Sequence, residues 1–152
     1  MRPFFLILGL VILVGLGYLF FPSFFAREVQ EGLDDISGLE GARLELVANG
    51  RWEGVEGYEA KGTALLLRSD GRYFLRFEDD FYVTAGPDLF IYLGNDGVYE
   101  GTSRVGSLKA NSGSQNYELL FFENQNIPRY REVWIVSRIL NKPHAKAELR
   151  FF

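Results

Sequence analysis

Few side chains of this 152-residue chain could do redox or acid–base chemistry, because it has one histidine, one methionine and no cysteine. The lack of cysteine excludes disulfides, thiolate nucleophiles and cysteine-ligated iron–sulfur clusters. A haem would have only His144 and Met1 as its usual axial ligands. A serine hydrolase built on His144 is equally disfavoured, because the chain lacks a G-x-S-x-G motif. The turn-like sequence Asn141–His144 instead predicts that His144 is an exposed loop residue.

The acidic run Glu78, Asp79 and Asp80 is the next candidate for chemistry. Successive strand residues face opposite sides of a sheet, so this run does not provide the facing carboxylates of a glycosidase. Calcium takes about six to eight oxygen ligands, and Asp79, Asp80 and Asp88 could supply some of them if their turns meet. We prefer the interpretation that these carboxylates bond backbone amides at turns. The prediction is therefore no metal and no cofactor.

Two polar segments remain as possible binding sites, the turn Gly86–Asp88 and the run Asn111–Tyr117. Proline fixes φ in the turn, and aspartate can cap its backbone. The longer run either satisfies buried backbone groups or forms a binding surface, and we weigh the structural role above binding. The selected residues are Asp80, Gly86, Pro87, Asp88, Lys109, Asn111, Gly113, Ser114, Gln115 and Tyr117.

The elements that must position these residues are short strands. Runs rich in Val, Ile, Leu, Phe and Tyr alternate with the turn sequences Asn49–Gly50, Asp70–Gly71 and Asn95–Gly97. This spacing predicts an all-β fold, an antiparallel β-sandwich. The predicted strands are Arg43–Ala48, Tyr58–Arg68, Gly71–Phe77, Asp80–Ala85, Leu89–Leu93, Val98–Val105, Asn116–Phe121, Glu132–Arg138 and Ala145–Phe151.

One predicted strand, Gly71–Phe77, shows how its two faces should differ. Alternation places Arg72, Phe74 and Arg76 on the same face of the strand. The two arginines predict that this face is the wetter one.

The N-terminal run Phe4–Phe21 has no charged or strongly polar side chain. Its 18 residues would span about 27 Å as a helix, close to the hydrocarbon thickness of a bilayer. The run is longer than a usual signal-peptide core, so we predict an uncleaved signal-anchor, with a cleaved signal as the main alternative. Arg2 before the run and the acids after it favour a cytoplasmic N-terminus and an external C-terminal domain, periplasmic or extracellular.

The predicted division is a signal-anchor transmembrane helix (residues 1–27), an acidic linker (28–41) that holds the domain off the bilayer, and a β domain (42–152). All 20 acidic residues and 15 of the 16 basic ones lie from Arg27 onward. No basic cluster stands out, which disfavours nucleic acid and anionic lipid as partners.

Ordered sequence blocks run through this β domain. They are Gly50-Arg51-Trp52, Lys61–Ala64, Leu75–Phe77 with Asp79 or Asp80 and Phe81, Gly86–Leu89 with Tyr92-Leu93, Leu108-Lys109, and Asn111–Tyr117. Together they resemble the DM-thirteen domain family, a small all-β module often found beside DOMON domains and proposed to carry electrons. The resemblance covers about Asn49–Leu149 and implies a sandwich of jelly-roll-like form.

One position departs from the family pattern. The resemblance implies a cysteine in a late V-x-I-x-C-[KR] strand, but Val133–Arg138 has Ser137 there. A serine hydroxyl neither forms disulfides nor carries electrons. We therefore predict a non-catalytic binding or assembly module, held at the cell membrane by its N-terminal helix and working with an extracytoplasmic protein partner. The alternatives are an accessory to an electron-transfer system and a metal- or carbohydrate-binding domain.

Overall fold

A computed structural model describes residues 9, 11, 12, 26–36, 43–120 and 129–152. The predicted signal-anchor lies almost wholly outside these residues, and no helix among them is long and apolar enough to cross a membrane. A short 3-10 turn, Leu33–Asp35, precedes the strands. The strands are β1 (Glu45–Gly54), β2 (Ala60–Lys61), β3 (Thr63–Ser69), β4 (Arg72–Phe77), β5 (Tyr82–Val83), β6 (Leu89–Asn95), β7 (Val98–Ser107), β8 (Gln115–Glu118), β9 (Glu132–Ser137), β10 (Lys142–Glu148) and β11 (Arg150–Phe151).

Nine strands form one antiparallel sheet that curls strongly into a half-barrel. The strand order is β7-β6-β9-β10-β1-β3-β4-β8, with β11 beside β1, while β2 and β5 form a separate ribbon. The predicted all-β antiparallel class is confirmed, but the two stacked sheets of a sandwich are not separate here. The reason is β1, whose residues 45–51 pair with β3 and whose residues 52–54 pair with β10.

The main core fills the inside of the curl, where Ile91 of β6 and Val133 and Ile135 of β9 are fully buried. The outward face of β9 is also covered, because Trp134 and Val136 pack in a second apolar cluster. Strands buried on both faces read as continuous apolar runs, which accounts for the near absence of polar residues in β6 and β9.

Two predicted turns are confirmed, because Asp70–Gly71 and Asn95–Gly97 carry the positive φ angles of tight hairpins. The predicted turn at Asn49–Gly50 is wrong, since both residues lie inside β1. A Cβ on Gly50 would lie 2.5 Å from the carbonyl oxygen of Glu148, so glycine here permits close packing rather than a bend. The predicted strand Tyr58–Arg68 is split into β2 and β3 at Gly62, whose φ is +105°.

The face of β4 that carries Arg72, Phe74 and Arg76 was predicted to be the wetter one, but it is largely buried. Phe74 is 1% exposed and Arg76 is 8% exposed. Ile36, from the segment before β1, packs with Leu67 over Phe74. The N-terminal segment therefore covers the outside of the sheet, which no local feature of β4 predicts.

Candidate functional site

Residues 27–32, here called the strap, are hydrogen-bonded along the loop between β7 and β8. The amides of Val29 and Glu31 donate to the carbonyl oxygens of Ser112 and Ser114, at 3.1 and 2.9 Å. The carbonyl oxygen of Arg27 accepts from the amide of Ser112 at 3.1 Å. Most of the strap belongs to the predicted acidic linker, so this part of the linker contacts the domain.

Glu31 is the centre of these contacts. Its carboxylate accepts from Nζ of Lys109 at 2.7 and 2.8 Å, and from the amide of Asn116 at 2.7 Å. Its carbonyl oxygen accepts from Nη1 of Arg76 at 3.1 Å and from Oγ of Ser114 at 2.8 Å. The loop between β7 and β8, here called the motif loop, thus binds the Glu31 carboxylate through the Lys109 side chain and the Asn116 amide.

Gly113 lets the strap approach the loop. Its φ is +84°, and a Cβ at this position would overlap the carbonyl oxygen of Val29. Both the backbone conformation and the space therefore require glycine.

Gln115 and Tyr117 order the inside of the loop. Gln115 is fully buried, and its Oε1 accepts from the amide of Ala110 at 3.1 Å and from Oη of Tyr117 at 2.6 Å. Oη of Tyr117 in turn accepts from the amide of Lys109 at 2.9 Å. Burial raises the pKa of Tyr117, so the phenol stays protonated as a donor. Gln115 and Tyr117 therefore have a structural role in the loop, which is the role that we predicted for this segment in preference to ligand binding.

The turn Gly86–Asp88 is held from the end of β9. Asp88 has a φ of +54°, and its carboxylate accepts from Nε of Arg138 at 2.9 Å. Oγ of Ser137 donates to the carbonyl oxygen of Pro87 at 2.7 Å, and its side chain is fully buried. The position where the family resemblance implies cysteine therefore lies beneath this turn.

The prediction that His144 is an exposed loop residue is wrong. His144 is 1% exposed in β10, and its ring stacks on Tyr58 with centroids 3.6 Å apart. A Cβ on Gly86 would overlap the imidazole, and Nδ1 lies 3.3 Å from the carbonyl oxygen of Thr84. Among the described residues, Nε2 has no hydrogen-bond partner. Desolvation by burial lowers the pKa of His144, and the Thr84 contact opposes this shift.

A β-bulge explains why His144 is buried. The pairing of β10 with β9 shifts register between Pro143 and Ala145, so alternation breaks at this point. His144 and Ala145 are both buried as a result.

The two motif loops meet at a groove of about 220 Å³. Gly86, Asp88, Lys109 and Asn111 of the selected residues line it. Arg27, Phe90 and Ser107 also contribute to the lining, and no sequence pattern marks them as site residues.

Phe90, which lines the groove, is in contact with two cations outside the lining. The guanidinium carbons of Arg104 and Arg138 lie 5.4 and 4.5 Å from the ring centroid of Phe90. Arg138 also pairs with Asp88, whereas Arg104 and Arg27 make no ion pair with another described residue. The groove therefore offers cations, a carboxylate and an aromatic surface to a polar ligand.

The remaining selected residue, Asp80, lies at a turn. Its carboxylate accepts from the amide and from Oγ1 of Thr63, at 2.9 and 3.1 Å. Within the described part of the chain, no three acidic or histidine side chains are grouped as metal ligands. The structure thus does not bring Asp79, Asp80 and Asp88 together as a calcium site.

The sequence was compared with models of known protein families, and one family matches. The family model described as "Electron transfer DM13" matches residues 54–149, a range that contains both motif loops. No curated protein and no solved structure matches the chain. The strap lies before the matched range.

Proposed function

Since the chain belongs to the Electron transfer DM13 family, we propose that it is a membrane-anchored, extracytoplasmic module that binds a partner protein in the groove without catalysing a reaction. One observation carries the proposal: the two loops that flank the β6–β7 hairpin bring Gly86, Asp88, Lys109 and Asn111 to a single groove. The family resemblance predicted from the sequence blocks is confirmed over nearly the expected range.

The groove is rigid before any partner binds. Asp88 is held in a left-handed conformation by Arg138, and Lys109 is fixed by Glu31. Rigid sites lose little conformational entropy on binding, which favours affinity.

The composition of the groove fits a protein ligand. Arginine and aromatic residues are enriched at protein–protein interfaces, and Arg27 and Phe90 in the groove lining provide both. The exposed Lys109 and the half-buried Asp88 add polar contacts at the rim.

The proposed location rests on the sequence. Phe4–Phe21 is long and apolar enough to serve as a single-pass anchor, and Arg2 with the amino terminus before it favours a cytoplasmic N-terminus and an external domain. We propose the cell membrane, with the domain on the extracytoplasmic side.

A second candidate function is supported by the family description, which is electron transfer. Ser137 occupies the position at which the resemblance implies cysteine, and it bonds Pro87 of the groove turn. Because this chain has no cysteine, a role in electron transfer would require redox groups on the partner. In this version the domain positions a redox partner and carries no electrons.

Site-specific photo-crosslinking in intact membranes tests the proposal. A photoreactive residue replaces Ser107, which is exposed at the groove, in the full chain. The control carries it at Val98, which is 65% exposed at the start of β7, where it pairs with Asn95 at the end of β6 away from the groove. A third variant combines the Ser107 probe with Asp88→Asn, since asparagine tolerates positive φ but removes the charge that pairs with Arg138.

We expect a discrete adduct from position 107 that is absent from position 98 and weakened by Asp88→Asn. A partner that carries haem, flavin or an iron–sulfur cluster would favour the electron-transfer version, and a partner without such groups would favour assembly. The same adducts from both probes, or none from either, would contradict a binding role for the groove.

A further inference from the structure

The strap limits how far the domain can lie from its proposed anchor. Arg27 is five residues beyond Pro22, which ends the apolar run. A fully extended chain spans at most about 3.6 Å per residue, so Arg27 lies within about 18 Å of that end. An undocked linker running to residue 41 would permit several times this distance.

Because the strap is hydrogen-bonded to the domain, the same limit applies to the distance between this end of the domain and the end of the apolar run. Arg27 is bonded to Ser112, which is also bridged to Tyr82 of β5. Gly113 is bonded to Phe81. The β7–β8 loop and the β5 ribbon are therefore fixed close to the point at which the chain leaves the membrane.

The groove is part of this same end, because Arg27 and Asn111 line it. The headgroup layer occupies roughly 5 to 8 Å beyond the hydrocarbon core. Even with the connecting residues fully extended, the groove then lies on the order of 10 Å from the headgroups.

We infer that the docked strap fixes the orientation of the domain, with the groove held near the bilayer surface, and that the groove's partner is a protein embedded in the same membrane. This inference rests on the proposed function, namely the anchor and the binding groove. It replaces the predicted role of residues 28–41 as a spacer, because their first part is bonded to the domain.

Charge distinguishes a membrane protein from the lipid itself as the occupant. Exposed side chains of both signs lie at this end of the domain: Glu28, Glu59, Asp79 and Asp80 beside Arg27, Lys61 and Lys109. A surface of mixed sign gains little from headgroups that are all anionic. A membrane protein with both acidic and basic residues just outside the bilayer is complementary to it.

Energy transfer to the bilayer tests the orientation. The chain has no cysteine, so single cysteines introduced at Asp79 and Val98 accept a fluorescent donor specifically. Both positions are exposed. Val98 of β7 pairs with Asn95 at one end of β6, and Leu89, which lines the groove, lies at the other end. Seven residues of β6 separate those ends by roughly 20 Å. The full chain is placed in lipid nanodiscs that carry a headgroup acceptor.

A matched pair of variants adds a flexible Gly/Ser insert of about 20 residues between Ala26 and Arg27. Such an insert has a mean end-to-end distance of about 25 Å, which frees the orientation and leaves the strap intact. Extraction of membranes at high pH measures anchoring separately.

We expect transfer to be at least twofold more efficient from position 79 than from position 98, and the insert to reduce this ratio toward one. Equal efficiencies in a chain that resists extraction would overturn the orientation while leaving the anchor in place. Release of the chain by extraction would overturn the proposed anchor and the inference with it. If the full chain shows the difference between positions 79 and 98 only in nanodiscs that contain anionic lipid, the assignment to a protein partner would be overturned.

Discussion

Single residues explain why the motif loop has its sequence. Gly113 is required by a positive φ and by contact with Val29 of the strap. Gln115 is required because its amide group completes the hydrogen bonds of Ala110 and Tyr117. The residues that match the family motifs in this loop therefore form a framework that holds the strap. The groove is formed by residues at the outer edge of this framework.

Replacing Gly113 with alanine tests this framework. We expect Gly113→Ala to lower the free energy of unfolding by about 1–3 kcal/mol, because it strains the backbone and displaces Val29. Gly101→Ala is the control, since Gly101 has no neighbour within 4 Å of its Cβ position. Urea unfolding of the full chain measures both. Equal effects of the two substitutions would show that the strap does not pack on Gly113.

His144 predicts a dependence of stability on pH. Its pKa is lowered in the folded state, so below its ordinary value of 6.5 the unfolded chain binds more protons. Stability is therefore complete above about pH 6.5 and is lost as the pH falls toward the folded-state pKa. His144→Gln removes the titrating group, and we expect its urea midpoint to fall less than that of the native chain between about pH 7.5 and 5. Parallel curves for the two proteins would contradict this account.

Ser137→Cys tests the burial of the position that would carry the family's thiol. Ser137 is fully buried and bonds Pro87. Cysteine is a weaker hydrogen-bond donor, so we expect a loss of about 1 kcal/mol and a thiol that reacts with an aromatic disulfide reagent only on unfolding. Val98→Cys, at an exposed position, serves as the fast-reacting control. Rapid reaction at position 137 in the native chain would contradict its placement beneath the turn.

At the scale of elements, the β7–β8 loop depends on a buried amide. Gln115→Leu keeps approximate size but removes the hydrogen-bond partner of the Ala110 backbone groups and the acceptor of the Tyr117 O–H. We expect a loss of about 2–4 kcal/mol in unfolding free energy, because each unsatisfied buried group costs about 1–3 kcal/mol. Gln30→Leu, at an exposed strap residue, is the matched control, with an expected change near 0.5 kcal/mol. Similar losses for both variants would show that the loop does not depend on Gln115.

Sequence predicts the strands and hairpins well where the signal is local. Alternating runs and Asp70–Gly71 mark the β3–β4 hairpin, and the structure confirms it. Asn49–Gly50 has the same turn composition, but contact with Glu148 from a distant strand places it inside β1. The burial of His144 depends on a bulge in β10, which only the pairing with β9 reveals.

At the scale of the whole molecule, sequence could predict the all-β class but not how the sheet is covered. The curl of the sheet follows from β1 pairing with different strands along its length. Glu31 lies in an acidic run that looks like a solvated linker, yet it binds Lys109 and Asn116. Some of the residues selected from the sequence motifs line the groove. Arg27 and Phe90 also line it, but only long-range folding brings them there.

The central claim is that the motif loop holds the strap against the domain, and hydrogen exchange of the full chain in nanodiscs tests it most directly. The amides of Val29 and Glu31 donate to Ser112 and Ser114. The account predicts exchange at least about tenfold slower at these amides than in an unstructured chain, with the intervening Gln30 amide exchanging faster. Exchange at all three amides as fast as in an unstructured chain would contradict the docked strap and the orientation inferred from it.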